Sequence, residues 1–308
     1  MGKTILFVHG RSFKPDKVDL WKLWKGAVRA GIKRDYPPSK LRAFDDAKTE
    51  MIYYGNYSNQ FLRSKGQSYN KVADVRDRQK TLESLKVYDA NQFTKSTYKK
   101  LPGKASYKEF IADVLGGPVG AIGLGEELTS FAAPDMAHYW NPDTQYGSDV
   151  RYPMINPLRR AMDRGDRIMV VSHSLGTMIS YDTFWKFAHM AEYRDKYSRK
   201  KIDRWITLGS PLADETAKRH LRGAQVRGRR KYPNNVVDWF NVAAEDDYIS
   251  HDSKVRNDYK EMFKYGLIRK IEDYMIYNLS VRDGDSNPHS GIGYLIHPTV
   301  VNLICKWL

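Results

Sequence analysis

The segment 170–182, VVSHSLGTMISYD, contains a serine whose neighbours could make it a nucleophile. The apolar run 168–171 predicts a buried strand that ends just before Ser174, and a helix follows with almost no room for a loop. A serine on such a sharp turn needs small residues two positions to either side, because strand and helix approach closely there. Ser172 and Gly176 meet that need, although serine replaces the first glycine of G-x-S-x-G. A helix cap is the alternative interpretation of Ser174.

A serine hydroxyl is a poor nucleophile and needs a base, which in turn needs a carboxylate to fix its tautomer. The carboxylate should lie at the end of a later strand, and the strand expected at 236–242 gives way to acidic residues. Asp246 and Asp247 are both candidates there. We interpret the nearby Glu245 and Asp252 as surface charges.

The base should lie in the loop that follows the last strand, expected at 275–280. This polar, turn-rich loop contains two histidines, and we favour His289 because it lies in the flexible part. His297 directly precedes Pro298 and a closing helix, which is a more structural setting. The other histidines outside the first strand show no spacing typical of metal ligands, so we expect no metal site: His138, His173, His189, His220 and His251.

Backbone N–H groups near the serine could hold a negatively charged oxygen. The N–H of Leu175 is the first candidate, because it lies at the start of a helix where N–H groups are unpaired and the dipole favours an anion. The second candidate is the N–H of Arg11, in the loop after the first expected strand, FVHGRSF. We interpret His9 as a structural residue that shapes this loop.

These residues need elements that bring them together, and the chain alternates between strand and helix patterns. Such alternation predicts an α/β fold with a mostly parallel central sheet and helices on both faces. The length predicts a single domain over 1–308. The strands are expected at 4–9, 51–55, 167–172, 204–209, 236–242 and 275–280, with helices that include 18–32, 177–193 and 298–308.

One insertion at about 56–150 interrupts this alternation. Its first half is polar and charged, which predicts solvent-facing helices. In 116–135 small and apolar residues dominate, which favours a lid or a wall of an acyl pocket, with plain packing as the alternative. The glycine spacing in this part does not fit a dinucleotide-binding loop.

The chain has 308 residues, a formal net charge of +15 at pH 7 and a single cysteine, Cys305, which we expect to be a buried small hydrophobe. No signal-peptide pattern or long apolar run is present, so we expect a soluble, cytoplasmic protein. The densest basic patch, 218–233, contains Arg222, Arg227, Arg229, Arg230 and Lys231. We expect it to form an exposed loop that serves solubility, with an anionic membrane surface as an alternative partner. No nucleic-acid-binding motif accompanies the charge, so nucleic acid is not an expected partner.

The order Ser174, Asp247, His289, with FVHG near the start of the chain and VVSHSLGT in its middle, resembles the α/β-hydrolase superfamily. More narrowly it resembles the bacterial lipase and serine-esterase-like members. WITLGSPL at 205–212 and PHSGIGYL around the histidine support the likeness, which covers nearly the whole chain except 56–115. DYIS resembles the D-P-V-A that often follows the acid in such enzymes, which favours Asp247 over Asp246.

The resemblance implies an α/β-hydrolase fold and the hydrolysis of carboxylic esters without a cofactor. Ser174 would attack the carbonyl, His289 would take and return the proton, and Asp247 would stabilise the imidazolium. The N–H groups of Leu175 and Arg11 would hold the oxyanion. A small-molecule or lipid ester with a moderate or long acyl chain is the expected substrate. Thioesters and amides suit the same triad, and a catalytically silent binding protein with a basic surface is a further alternative.

Overall fold

A computed structural model describes residues 2–103, 134–250 and 254–308. In these ranges six strands form one sheet in the order β2-β1-β3-β4-β5-β6, and every neighbouring pair is parallel. The carboxyl ends of the strands therefore lie at one edge of the sheet. The strands are β1 (Lys3–Val8), β2 (Lys48–Ile52), β3 (Arg167–His173), β4 (Ile202–Leu208), β5 (Val236–Ala244) and β6 (Lys270–Ile276). The α/β class with a parallel central sheet is confirmed.

The sheet is buried on both faces. Successive side chains of a strand point to opposite faces, and in β1 the side chains of Leu6 and Val8 enter one apolar core while those of Ile5 and Phe7 enter another. All four are fully buried. Near-continuous apolar runs such as 168–171 suit this arrangement, because neither face of the strand meets water.

Helices cover the two cores. One core contains residues of α7 and α8, and the other contains residues of α1 and α14. The helices are α1 (Lys17–Asp35), α2 (Pro38–Asp46), α3 (Gly55–Ser64), α4 (Lys71–Leu85), α5 (Lys95–Lys99), α6 (Pro134–Trp140), α7 (Tyr146–Asp163), α8 (Leu175–His189), α9 (Ala191–Tyr197), α10 (Glu215–His220), α11 (Val255–Asp258), α12 (Lys260–Lys264), α13 (Gly291–Ile296) and α14 (Pro298–Trp307). A separate antiparallel hairpin consists of β7 (Val281–Arg282) and β8 (Asp285–Ser286). In the described parts of the chain, every helix is too short or too polar to cross a membrane.

The two edge strands differ from the sequence expectation. The strands expected at 51–55 and 275–280 lie earlier in the chain, at Lys48–Ile52 and Lys270–Ile276. Among the described residues both are edge strands, and several of their polar side chains are only partly buried. At these two edges the most apolar segment of the sequence therefore does not coincide with the strand. The helix expected at 177–193 is also interrupted, because Met190 has extended backbone angles between α8 and α9.

The insertion differs from its expectation in the part that the structure describes. Helix α4 is not simply solvent-facing, because Leu82 and Leu85 are buried in the same core as α1 and α14. Most of the expected lid, 116–133, lies outside the described residues. Its last two residues begin α6, where the Asp135 side chain is fully buried.

Candidate active site

Ser174 lies on the turn between β3 and α8, with backbone angles φ 55° and ψ −130°. A positive φ is uncommon for a residue other than glycine and is maintained only where the surrounding structure demands it. The residue is almost fully buried, and its hydroxyl makes no capping hydrogen bond to α8. Ser174 therefore occupies the N-cap position of α8, but its hydroxyl does not cap the helix and is directed to another partner.

Small residues around the turn allow the close approach of strand and helix. A Cβ atom on Gly176 would lie 2.7 Å from the carbonyl oxygen of Val8, and one on Gly10 would lie 2.7 Å from the Cβ of Ser174. Ser172 is fully buried, and its hydroxyl accepts a 2.7 Å hydrogen bond from the indole N–H of Trp205 on β4. The serine that replaces the first glycine of the motif therefore has a structural partner of its own.

Three sequence-predicted residues lie in one hydrogen-bonded line. The Nε2 atom of His289 is 2.9 Å from the Oγ atom of Ser174, and its Nδ1 atom is 2.9 Å from each carboxylate oxygen of Asp247. The carboxylate fixes the tautomer, because Nδ1–H donates to it and leaves the lone pair of Nε2 facing the serine hydroxyl. The arrangement can remove a proton from Oγ and hold the resulting positive charge.

The carboxylate of Asp247 is fully buried and is held from three directions. Besides the imidazole, the hydroxyl of Tyr294 donates a 2.6 Å hydrogen bond to Oδ2 and the N–H of Ile249 donates a 3.1 Å bond to Oδ1. Burial, and next the charge of Asp247, raise the pKa of the Tyr294 hydroxyl well above its usual value, so it stays a donor. The hydroxyl oxygen of Tyr294 also accepts a 2.8 Å hydrogen bond from the backbone N–H of Ala244 at the end of β5.

The alternative acid, Asp246, points elsewhere. Its backbone has a φ of 60°, and its carboxylate accepts a 3.1 Å hydrogen bond from the hydroxyl of Tyr98 in α5. The alternative base, His297, caps α14 by accepting the N–H of Thr299 at 3.1 Å. Burial, and next the charge of Arg34, lower the pKa of His297 to about 3. Neither residue belongs to the hydrogen-bonded line.

The loop after β1 is fixed by His9, whose Nδ1–H donates to the carbonyl oxygen of Gly10 at 2.8 Å and whose Nε2 accepts the N–H of Tyr54 at 3.1 Å. Burial, and next the charge of Lys14, hold the pKa of His9 well below its usual value. Because a trans peptide directs its C=O and N–H to opposite sides, holding the carbonyl of Gly10 also orients the N–H of Arg11.

The side chains of this loop tie it further. The buried Nζ atom of Lys14 donates to the carbonyl oxygens of Arg11, Ser12 and Phe13. Asp135 accepts the Nε–H of Arg11 at 2.9 Å and the backbone N–H of Ser12 at 2.7 Å. The loop that carries the second candidate N–H is thus held from both sides.

Leu175, the other candidate N–H donor, is the first residue of α8 and is fully buried. The first N–H groups of a helix have no acceptor within it. The N–H of Leu175 is therefore available at the end of the helix where the dipole favours negative charge.

Sequence reasoning does not identify His173 as part of the site. Its Nε2–H donates to the backbone carbonyl of His289 at 2.9 Å, and the two rings lie 4.6 Å apart between centroids. Burial, and next the nearby His289, hold the pKa of His173 well below its usual value. The position directly before Ser174, at the end of a strand, was the one available signal.

A cavity of about 190 Å³ opens beside the serine hydroxyl. Sequence reasoning missed most of its lining, which comes from the loop after β1, α1, α4, the hairpin and the loop before α13. In the described ranges, no three His, Cys, Asp or Glu side chains are grouped as metal ligands would be. The lining residues are Arg11, Ser12, Lys14, Trp24, Arg78, Thr81, His173, Ser174, Arg282, Asn287, His289, Ser290, Gly291 and Ile292.

Comparison with known proteins adds no identification. The sequence matches no protein-family model, and a search of curated proteins finds no significant match. The function is therefore argued from the geometry of the site.

Proposed function

We propose that this protein is a serine hydrolase that cleaves carboxylic esters through an acyl-enzyme. The observation that carries the proposal is the unbroken line from the Ser174 hydroxyl through His289 to the buried carboxylate of Asp247, with 2.9 Å separating each pair of partners. A nucleophile, a base and an orienting acid within hydrogen-bond reach are the requirements of this chemistry.

The proposal includes an α/β-hydrolase fold. In that fold a strained turn after a strand carries the nucleophile, and the partners follow in the chain order serine, acid, histidine. Here Ser174 follows β3, Asp247 follows β5 and His289 follows β6, all at the carboxyl edge of a parallel sheet.

The reaction proceeds in two halves. Oγ of Ser174 bonds to the ester carbonyl carbon as its proton moves to Nε2 of His289. The oxyanion forms near the N–H groups of Leu175 and Arg11, and the leaving alcohol takes the proton from Nε2 as the C–O bond breaks. Water then repeats the sequence, releasing the acid and restoring the serine hydroxyl. Asp247 stays ionised and stabilises the imidazolium throughout.

The test is labelling with a fluorophosphonate, which reacts with an activated serine. We expect wild-type protein to be labelled at Ser174, as identified by mass spectrometry, and Ser174→Ala to lose both the label and the hydrolysis of 4-nitrophenyl esters. Ser290→Ala is the matched control, because Ser290 also lines the cavity, and it should keep the label. A wild-type protein that takes up no label and hydrolyses no ester would favour a silent binding protein and refute the proposal.

A further inference from the structure

The cavity beside Ser174 is lined by three arginines and a lysine from three separate parts of the chain, and burial, and next the charge of Arg78, hold the pKa of Lys14 well below its usual value. Arg11 and Lys14 come from the loop after β1, Arg78 comes from α4 and Arg282 comes from β7. The described residues that line the cavity include no Asp or Glu. A concave site lined by one sign of charge concentrates ligands of the opposite sign.

Arg78 and Arg282 share one carboxylate. Oδ2 of Asp74 accepts the Nε–H of Arg78 at 2.8 Å, and Oδ1 accepts a terminal N–H of Arg282 at 2.6 Å. Asp74 is buried and also accepts the hydroxyl of Tyr69 at 2.8 Å. The shared anchor fixes both guanidinium groups in place, and the second carboxylate near them, on Asp283, is largely exposed to solvent and lies 3.6 Å from Arg282.

The guanidinium of Arg282 also has an unused donor. Its Nε–H is buried and makes no hydrogen bond, and the Nε atom lies 3.6 Å from a carboxylate oxygen of Asp283. A buried N–H without an acceptor costs free energy, so such groups call for an explanation. A ligand that supplies an acceptor oxygen in the cavity would satisfy it.

The other two basic side chains serve the loop after β1. Arg11 is paired with Asp135, and Lys14 donates to backbone carbonyls. The hydrogen bonds of both side chains are directed at the protein. Arg78 and Arg282 are therefore the residues with capacity for a ligand.

We propose that the natural substrate is a small anionic ester, whose carboxylate or phosphate group binds Arg78 and Arg282 while its ester carbonyl lies at Ser174. This inference rests on the proposed hydrolase function. Guanidinium groups suit both anions, because their N–H groups match carboxylate and phosphate oxygens in pairs. The cavity of about 190 Å³ is smaller than the roughly 300–1,000 Å³ of pockets for drug-sized ligands. A long neutral acyl chain would instead call for a mostly apolar wall.

The test compares pairs of esters that differ in one charge. Mono-4-nitrophenyl succinate and 4-nitrophenyl butyrate place the charge on the acyl side. On the alcohol side, 4-acetoxybenzoate, its methyl ester and 4-acetoxyphenyl phosphate compare a carboxylate, a neutral group and a phosphate. In at least one set we expect kcat/KM for the anionic member to exceed that of the neutral member at least about tenfold, since hydrogen bonds to charged groups are stronger than those to neutral ones.

Variants of the two arginines locate the effect. Arg282→Gln and Arg78→Gln should each lower kcat/KM for the anionic ester about 10- to 100-fold and change that for the neutral ester less than about threefold. Arg282→Lys should keep part of the preference, because it keeps the charge but not the paired donors. Arg269→Gln is the matched control, since Arg269 also pairs with a carboxylate, Asp238, but lies before β6 at the opposite edge of the sheet. Circular dichroism and the melting temperature should show that each variant is folded.

Equal turnover of neutral and anionic esters, or an equal loss for both in the arginine variants, would overturn the proposal. Binding separates its failure from that of the hydrolase proposal. Succinate and inorganic phosphate are titrated into Ser174→Ala by calorimetry, and at least one should bind and lose that binding when Arg282→Gln is added. If neither anion binds, the proposed anion site is refuted, whether or not the wild-type protein hydrolyses esters. If an anion binds but wild-type protein hydrolyses no ester, the substrate assignment falls and the anion site stands.

Discussion

Tyr294→Phe would remove one hydroxyl that holds the carboxylate of Asp247. The change keeps the ring and deletes two hydrogen bonds, the 2.6 Å bond to Asp247 and the 2.8 Å bond from the N–H of Ala244. The imidazole of His289 and the N–H of Ile249 would still contact the carboxylate. We therefore expect a looser carboxylate that is still present and still ionised.

The size of the effect follows from these contacts. A hydrogen bond to a charged group contributes about 1.5–3 kcal/mol, and an orphaned buried N–H costs about 1–3 kcal/mol, so the free energy of unfolding should fall by about 3 kcal/mol or more. Loss of the acid itself in a serine triad costs about 10⁴ in kcat. Losing one of its supports should cost about tenfold, with KM nearly unchanged because Tyr294 does not line the cavity.

The assay measures kcat and KM with 4-nitrophenyl esters and the free energy of unfolding in urea. Tyr98→Phe is the matched control, because the hydroxyl of Tyr98 donates to the neighbouring Asp246. It should leave kcat within about twofold of wild type, as expected of a change remote from the reacting groups. The pair Asp247→Asn and Asp246→Asn repeats the comparison at the carboxylates themselves.

The reasoning fails if Tyr98→Phe lowers kcat as much as Tyr294→Phe does. It also fails if Asp246→Asn is the more damaging of the two carboxylate variants. Either result would make Asp246 the acid, against the geometry at His289. An unchanged kcat in Tyr294→Phe would show that the imidazole and the N–H of Ile249 alone fix the carboxylate.

Two further predictions concern a glycine and a buried histidine. Gly209→Ala should lower kcat more than about tenfold in the ester assay, because the new Cβ would lie 2.7 Å from Oδ2 of Asp247. Gly266→Ala has a similar positive φ with open space around it, so it should cost only the backbone strain of about 1–2 kcal/mol and keep activity; equal losses would contradict the argument. His297 has a pKa lowered to about 3, so the unfolded chain takes up its proton first as the pH falls below about 6.5, and folding should lose about 2 kcal/mol between pH 7 and pH 5 on its account. His297→Asn keeps an acceptor for Thr299 and should flatten the urea stability profile over that range, whereas an unchanged slope would show that His297 does not carry this proton linkage.

The core of the candidate site could be predicted from sequence because Ser174 and Asp247 closely follow strands of the sheet and His289 lies in the segment after the last of these strands. In a parallel sheet the carboxyl ends of the strands share one edge, so the segments that follow β3, β5 and β6 all begin at that edge. The choice between Asp246 and Asp247 could not be derived from the residues alone. It depends on the positive φ of Asp246, which turns the backbone so that the second carboxylate faces the imidazole.

The supports of the site were missed because they depend on packing. Tyr294 belongs to α13, and nothing in its local sequence indicates that its hydroxyl reaches the end of β5. The edge strands were misplaced for a related reason, since a strand with one open side does not need the apolar run by which β1 and β3 were found. The pattern of apolar residues in a sequence indicates burial. The contact of Tyr294 with the end of β5 and the positions of the edge strands depend instead on tertiary packing.

The residues of the proposed triad and those of the proposed anion site come from different parts of the chain. The strand ends place the reacting groups, whereas Arg78 and Arg282 are separated by most of the sequence and meet only because α4 packs beside the hairpin. The hydroxyl of Thr81 donates to the carbonyl of Val281 at 2.9 Å, which fixes that contact one helical turn from Arg78. The net charge of +15 could not reveal this pair, because most of the excess charge lies elsewhere, including the exposed arginines of 227–230 beside α8. An insertion can add cationic side chains to the cavity beside a Ser-His-Asp triad. Such an addition can change which esters bind without altering the mechanism by which they are cleaved.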